Sequence, residues 1–286
     1  MKKNTFEKLF FLFSIIFAII SAWNFSFMQY WKDLVVLTHE IFHAISSLLT
    51  GGTLAKLTLH GNESGETIAV GIWKYSMPIV YSAGYLGCAL LGGFQIFTGF
   101  QKTHSRVFII SFGFFIILST LMFSNLGSYT FYLGIFWGIF FFIIGLLGDN
   151  ISSFTLVFFG TAISFYSIYD LGDFMRNLEG SDAGKLAIWI TQNFSVSKSP
   201  ENVSQIGYYI AIFWSSISIS LILIFLKISL FPHKTEEDKS IEKVLDHVES
   251  GKVNEDVAEW FLKRGLDLDG RPLSKNIVDE INKKGF

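Results

Sequence analysis

Residues 39–43 read HEIFH, which places two histidines four positions apart and a glutamate directly after the first of them. Residues four apart share one face of an α-helix, so His39 and His43 can bind the same metal ion. Glu40 would project beside that ion and could accept a proton from a water molecule on it. Zinc lowers the pKa of such a water to about 7, which makes hydroxide available at neutral pH. The pattern predicts zinc-dependent hydrolysis, with Glu40 as the general base.

The segment that carries this motif, residues 33–50, is otherwise largely apolar. A charged side chain in the middle of a membrane helix costs about 3 kcal/mol unless it is paired or ligated. This context favours a metal site over a chance match. The alternative is a polar cluster that bonds to neighbouring helices, or a proton relay in a transporter.

A catalytic zinc site needs a third protein ligand. Cys88 is the single cysteine, so a multi-cysteine zinc site within one chain is excluded. The other histidines are predicted to lie on the surface, in loops or in the tail: His60, His104, His233 and His247. The acidic residues near apolar segments remain open as candidates: Asp149, Asp170, Asp173 and Asp182.

The composition indicates a membrane protein. Of the 286 residues, 51% are hydrophobic and 16% are charged, against about 25% charged in an average soluble domain. Half of the charge, 23 of 46 Lys, Arg, Asp and Glu residues, lies in residues 234–286. We therefore predict a transmembrane metalloprotease core over 1–231, embedded in the lipid bilayer, and a soluble charged helical tail over 232–286. The net charge of −2 offers no electrostatic basis for binding nucleic acid.

A helix that crosses a bilayer needs about 20 apolar residues. The predicted spans are 9–28, 33–50, 77–100, 107–123, 129–147, 151–169 and 205–231. The first is too long for a typical signal peptide and is predicted to be retained. The span at 77–100 has small residues four positions apart, a spacing that lets helix backbones approach closely in lipid.

Residues 53–73 break the helical pattern. Two β-rich stretches, 53–60 and 66–73, flank the polar turn Asn62-Glu63-Ser64-Gly65. This arrangement predicts a β-hairpin, and the edge of a strand can hold an extended substrate. The predicted fold class is an all-α polytopic membrane protein with about seven transmembrane helices, a short β-hairpin after the HExxH helix, and a small soluble helical C-terminal tail.

Residues 38–52, THEIFHAISSLLTGG, resemble the bacterial branch of the site-2 protease family of intramembrane zinc metallopeptidases. That branch follows its HExxH helix with a Gly-Gly break and a β-hairpin. It then has a helix similar to residues 82–87, SAGYLG, and much later a Ser-Asp-Ala segment that Ser181-Asp182-Ala183 matches. The resemblance covers about residues 30–190 and leaves the tail outside.

The resemblance implies that Asp182 is the third zinc ligand, with Asp173 and Asp170 as alternatives. One departure bears on this ligand. Better-known site-2 proteases carry it in a Leu-Asp-Gly motif within a membrane helix, whereas residues 268–270, LDG, lie here in the charged tail. We predict that this tail motif is a solvated turn and does not bind the metal.

The family resemblance also implies an activity and a location. The expected protein is a zinc-dependent membrane-embedded endopeptidase, multi-pass in a bacterial inner membrane, that cleaves a membrane protein or peptide substrate in or next to its membrane segment. The alternative is a non-catalytic transporter or scaffold that uses His39, Glu40 and His43 as a polar relay. Bound metal distinguishes the two.

Overall fold

The computed structural model describes residues 3–102, 104–169, 180–194, 197–231, 254–268 and 270–272. The chain divides into two compact units, Met1–Phe231 and Pro232–Phe286. The first unit contains the apolar helices and the HExxH motif. The second contains the charge-rich end of the chain.

The described part of the first unit is built from long helices, as expected where lipid cannot hydrogen-bond to an open backbone. Serine side chains cap three of the helices by accepting a hydrogen bond from the backbone of the first turn. The helices are α1 (Lys3–Ala22), α2 (Gln29–Leu49), α3 (Met77–Gln101), α4 (Ser105–Phe123), α5 (Tyr129–Leu147), α6 (Asp149–Tyr169), α7 (Asp182–Asn193) and α8 (Pro200–Leu230).

The all-helical polytopic architecture with one small hairpin is confirmed, but the number of spans is not. Within the described residues, 5 helices are long and apolar enough to cross a membrane, rather than the predicted seven. They are α1, α3 with the short turn before it, α4, α5 and α8. The helix α2, which carries Lys32, Asp33 and Glu40, is not among them, and neither is α6; both pack inside the bundle.

The beginning of α1 and the end of α8 lie at the same end of the bundle. The Lys8 ammonium donates to the backbone carbonyl of Ser229 at 3.1 Å, and the Thr5 hydroxyl donates to that of Leu230 at 3.4 Å. Seven complete crossings would put these two ends on opposite sides of a membrane.

The helix that carries the HExxH motif begins within the bundle. Near its start, the ring of Trp31 stacks on Phe159, with centroids 5.0 Å apart, and meets Trp137 edge-on at 6.1 Å. Phe159 and Trp137 lie close to the middle of α6 and α5. The first turn of α2 therefore packs against the middle of α5 and α6.

The small residues of α3 allow close packing against several partners. A Cβ atom on Gly92 would lie 2.7 Å from the carbonyl oxygen of Gly160 on α6, and one on Gly99 would lie 2.8 Å from that of Ser153. On another face of α3, a Cβ on Gly87 would meet the ring of Phe42 at 2.4 Å. The main neighbour of this stripe is thus α6, and the HExxH helix packs beside it.

The predicted hairpin forms, with β1 (Leu54–Leu59) antiparallel to β2 (Gly65–Val70). At the turn the backbone N–H of His60 donates to the carbonyl of Ser64 at 3.0 Å. The outer edge of β1 faces α5, because the N–H of Leu59 donates to the Thr130 hydroxyl at 2.8 Å. No described strand pairs with the outer edge of β2.

The described part of the second unit contains helix α9 (Glu255–Lys263), which Asn254 caps. A helix is therefore present in the part of the chain predicted to be a helical tail; residues 232–253 lie outside the described residues. Gly270 follows in a turn, with its N–H donating to the carbonyl of Asp267 at 2.9 Å. Asp269 lies outside the described residues, so its side chain is not assigned a position.

Candidate metal centre

The HExxH motif lies on the buried face of α2. The exposed fractions of His39, Glu40 and His43 are 6%, 8% and 5%. Hydroxyl groups before and after the motif donate to carbonyls of the helix itself, with Thr38 bonding to Leu34 and the Ser47 hydroxyl to the His43 carbonyl. These internal bonds let a polar sequence remain helical in an apolar setting.

Asp182 comes to this face of α2 from the first turn of α7. Its Oδ2 atom lies 3.0 Å from Nε2 of His39 and 3.0 Å from Nε2 of His43. The capping of α7 is performed by Ser181, whose hydroxyl accepts from the N–H of Gly184 at 3.1 Å. The Asp182 carboxylate is therefore not needed as the cap and is directed to the two imidazoles.

These three donor atoms form a group with the dimensions of a metal site. The two Nε2 atoms are 2.9 Å apart, and each is 3.0 Å from the carboxylate oxygen. Ligands at tetrahedral zinc, with bonds of about 2.0–2.1 Å, are separated by about 3.3 Å. His39, His43 and Asp182 are also the set of His, Cys, Asp and Glu side chains in the described residues that could hold an ion.

The hydrogen bonding of His43 indicates that a cation belongs between these atoms. Its Nδ1 lies 2.7 Å from the carbonyl oxygen of Val80, which can only accept, so Nδ1 carries a proton. In the neutral ring, Nε2 then presents a lone pair to Asp182. Two lone pairs facing each other at 3.0 Å repel, and a cation between them, either a proton or a metal ion, removes this conflict. The residues present therefore fit a metal ion.

The ring of His39 is positioned mainly by packing. It meets Tyr85 edge-on, with centroids 4.7 Å apart, and lies against Gly84 on α3. A Cβ atom at Gly84 would come within 2.3 Å of Nε2 of His39, so only glycine leaves room for the ring. The Nδ1 atom of His39 is buried and has no hydrogen-bond partner among the described residues.

The electrostatics of Asp182 suit a metal ligand. Burial alone would raise the pKa of this carboxyl group, but the His43 and His39 imidazoles outweigh that effect and hold the pKa well below its usual value. The carboxylate is therefore ionised at neutral pH. An ionised carboxylate is the form that binds zinc.

A cavity of about 130 Å³ opens beside these residues. Glu40 lines it together with His43, Asp182, residues of β2 and the start of α3. Gly65 and Thr67 of β2 hold the hairpin against α2: a Cβ on Gly65 would lie 2.8 Å from Cγ of Glu40, and the Thr67 hydroxyl donates to the Glu40 carbonyl at 3.0 Å. The cavity is large enough to hold a few water molecules.

The structure brings together His39, Glu40, His43 and Asp182, but not the other candidates. Asp149 is exposed at the start of α6, and His60 and His104 are exposed as predicted. Asp170, Asp173, His233 and His247 lie outside the described residues.

Lys185 and Tyr81 also line the cavity and were not predicted from the sequence. The Lys185 ammonium lies 3.9 Å from Oδ1 of Asp182, the oxygen that faces away from the imidazoles. Tyr81 lines the cavity one residue after Val80. The position of Lys185 three residues after Asp182 could have indicated this contact, because both would lie on one face of a helix.

The sequence profile of the family described as Peptidase M50B-like matches residues 12–226, about three quarters of the chain. The match includes the HExxH helix, the hairpin and Asp182. No curated protein and no solved structure matches the chain at a significant level.

Proposed function

Because the chain belongs to the Peptidase M50B-like family, a family of membrane metallopeptidases related to the site-2 proteases, we propose that it is a zinc-dependent endopeptidase. It hydrolyses peptide bonds in or next to the membrane segments of substrate proteins, in a bacterial inner membrane. The observation that carries this proposal is the convergence of two imidazoles and one carboxylate on a single point beside a buried glutamate.

In this proposal His39, His43 and Asp182 hold the zinc ion. When bound, zinc supplies a Lewis acid that acidifies water and polarises a substrate carbonyl. Val80 supports the site through its carbonyl, which accepts the Nδ1 proton of His43 and so keeps Nε2 free for the metal. Nitrogen and carboxylate donors in this number are typical of catalytic zinc, with a position left for water.

Glu40 is the general base. Its carboxylate accepts a proton from the attacking water and returns it to the amine of the departing peptide. Its position is set on two sides: α2 holds its backbone, and Gly65 of the hairpin packs against its Cγ. Because Glu40 is only 8% exposed, little bulk water surrounds its carboxylate, which favours proton transfer over solvation.

The outer edge of β2 is the proposed substrate-binding strand. The backbone N–H of His60 donates to the carbonyl of Ser64, so these two residues form a hydrogen-bonded pair of the ladder. Hydrogen-bonded and non-hydrogen-bonded pairs alternate along an antiparallel ladder, and Thr67 and Ala69 belong to non-hydrogen-bonded pairs. Their N–H and C=O groups therefore point away from β1. Both residues line the cavity that contains Glu40. A substrate segment that has unwound can pair with this edge, and its backbone then lies extended beside the metal.

The first test is metal analysis of the protein purified from the membrane in detergent. Wild type is expected to contain about one zinc per chain, and a His39→Ala, His43→Ala variant close to none. His60→Ala, at an exposed histidine, is the matched control and should retain the metal. Unchanged zinc after both active-site histidines are replaced would refute the site.

A second prediction concerns the strand edge. Ala69→Pro removes an N–H that points to the open side of β2 and leaves the ladder with β1 intact, so we expect weaker substrate cleavage with normal zinc content. Ala69→Ser, which keeps the N–H, should cleave normally. Equal cleavage rates for the proline and serine variants would argue against pairing of the substrate at this edge.

The alternative function, a polar relay in a transporter or scaffold, makes different demands on these residues. A relay passes protons along a chain of groups through the membrane. Here the donor atoms of His39, His43 and Asp182 instead converge within 3.0 Å of one another. A protein that is free of metal, but whose proton or solute flux depends on His39, would support the relay.

A further inference from the structure

A second group of polar side chains lies two turns before the HExxH motif, and two of its members, Lys32 and Asp33, are buried. The Lys32 ammonium forms an ion pair with the Glu63 carboxylate at 2.9 Å. The next residue, Asp33, accepts hydrogen bonds from the Tyr129 hydroxyl and from the backbone N–H of Glu63 at 3.3 Å. We call these four residues, Lys32, Asp33, Glu63 and Tyr129, the hairpin clamp.

The clamp joins three elements of the fold. Lys32 and Asp33 belong to α2, Glu63 is in the turn of the hairpin, and Tyr129 is the first residue of α5. The span predicted from the sequence begins at residue 33, but the helix begins at Gln29 and buries both Lys32 and Asp33. Asp33 is 1% exposed and Lys32 is 8% exposed.

Burial on this scale needs a reason, because an ionised side chain loses much of its hydration inside a protein. Each charge is compensated here by named partners, and Lys32 also lies over the ring of Trp23 at 4.6 Å. Glu63 adopts a left-handed backbone conformation, with φ of 64°, which glycine or asparagine usually occupies. This backbone conformation is held by the ion pair of Glu63 with Lys32 and by its N–H bond to Asp33.

The clamp is connected to the active site through the hairpin. Glu63 precedes Gly65 by two residues, and Gly65 packs against both Val36 and Glu40 of α2. Further along β2, Thr67 donates to the carbonyl of Glu40. The clamp holds the turn, and these contacts hold the strand, so the two together set the position of β2 relative to α2.

We propose that the hairpin clamp positions β2 so that its open edge presents the substrate strand to Glu40 and the metal ligands. Lys32, Asp33, Glu63 and Tyr129 are positioning residues; none of them lines the cavity. This inference rests on the proposed function, since it names the device that aligns the substrate in that same site. Loosening the clamp is expected to reduce substrate binding and leave the metal in place.

The test measures the position of the hairpin directly. Spin labels are attached at Ile68 on β2 and Leu126 before α5, both exposed, in a Cys88→Ala background that removes the single native cysteine. The distribution of the distance between the two spin labels is recorded in liposomes for the parent, Asp33→Asn, Glu63→Gln and Tyr129→Phe proteins. The parent distribution is expected to be narrow and those of the clamp variants broad.

Cleavage and zinc content are measured on the same substitutions without labels. The substrate is a fluorescent peptide with one hydrophobic span of about 20 residues and a central Gly-Pro break. We expect KM to rise about tenfold or more in clamp variants, with kcat changed less and zinc unchanged. Lys32→Met is measured with them, and Lys56→Met, at an exposed position of β1, is its control and should behave as wild type.

Exchanging the two residues of the Lys32–Glu63 ion pair tests whether the pair itself positions the hairpin. Lys32→Glu with Glu63→Lys should recover part of the narrow distribution and of the KM that each single change loses. The proposal would be overturned if the distance distributions of the clamp variants are unchanged, or if they broaden while KM stays the same. Loss of zinc together with the rise in KM would also overturn it. If wild type lacks zinc and proteolysis, the proposed function fails by itself, whereas the distance measurement still reports whether the clamp holds the hairpin.

Discussion

Replacement of Glu40 by glutamine is expected to reduce peptide hydrolysis by about 10²–10⁴-fold, the usual contribution of a general base, with zinc content unchanged. The amide has almost the same shape as the carboxylate but cannot accept a proton from water at neutral pH. Glu40 is buried and packs against Gly65, and glutamine can make the same contact. The fold and the metal ligands should therefore be retained.

The measurement compares membrane fractions from cells that express wild type or the Glu40→Gln variant. Fragments of membrane proteins that appear only with wild type identify substrates, and cleavage of those substrates by purified protein gives the rate. Glu201→Gln, at an exposed carboxylate in the first turn of α8, is the matched control and should cleave normally. Wild-type cleavage by the Glu40→Gln variant would exclude Glu40 as the base.

The second large effect is expected at Asp182. Asp182→Asn should lose zinc and, with it, proteolysis, because a neutral amide is a much poorer zinc ligand than a carboxylate. The beginning of α7 should be unaffected, since Ser181 supplies the cap through its bond with Gly184. Loss of metal in a protein that remains folded distinguishes a ligand from a capping residue.

The comparison set for this experiment is Asp149→Asn, Asp170→Asn and Asp173→Asn, which remove the other acidic candidates one at a time. We expect each of them to retain about one zinc per chain. Circular dichroism and thermal unfolding in detergent establish that every variant is folded. Retention of zinc in Asp182→Asn, with its loss in Asp170→Asn or Asp173→Asn, would transfer the third ligand to that residue.

Parts of the fold follow from local sequence because the physical cause is local. A long apolar segment in lipid must satisfy its own backbone, so α3, α4, α5 and α8 could be predicted within a few residues. The hairpin could be predicted because β-rich stretches flank a polar turn. The pairing of His39 with His43 also depends only on helix periodicity, which places residues four apart together.

The position at which α2 begins could not be predicted from local sequence. Its sequence resembles a short span that begins at residue 33, after a charged residue that would ordinarily mark the membrane surface. Lys32 and Asp33 are instead buried, because Glu63 and Tyr129 reach them from other elements. A charge is excluded from the interior only when it has no partner, and its partner can lie anywhere in the chain.

The sequence by itself determined that this is a helical membrane protein with an HExxH helix and a hairpin after it. On spacing alone it left the third ligand open among four aspartates, and a family resemblance was needed to favour Asp182. Only the tertiary structure brought Asp182 within 3.0 Å of histidines that lie 143 and 139 positions away. Contacts across such separations depend on how helices pack, and no local periodicity encodes that packing.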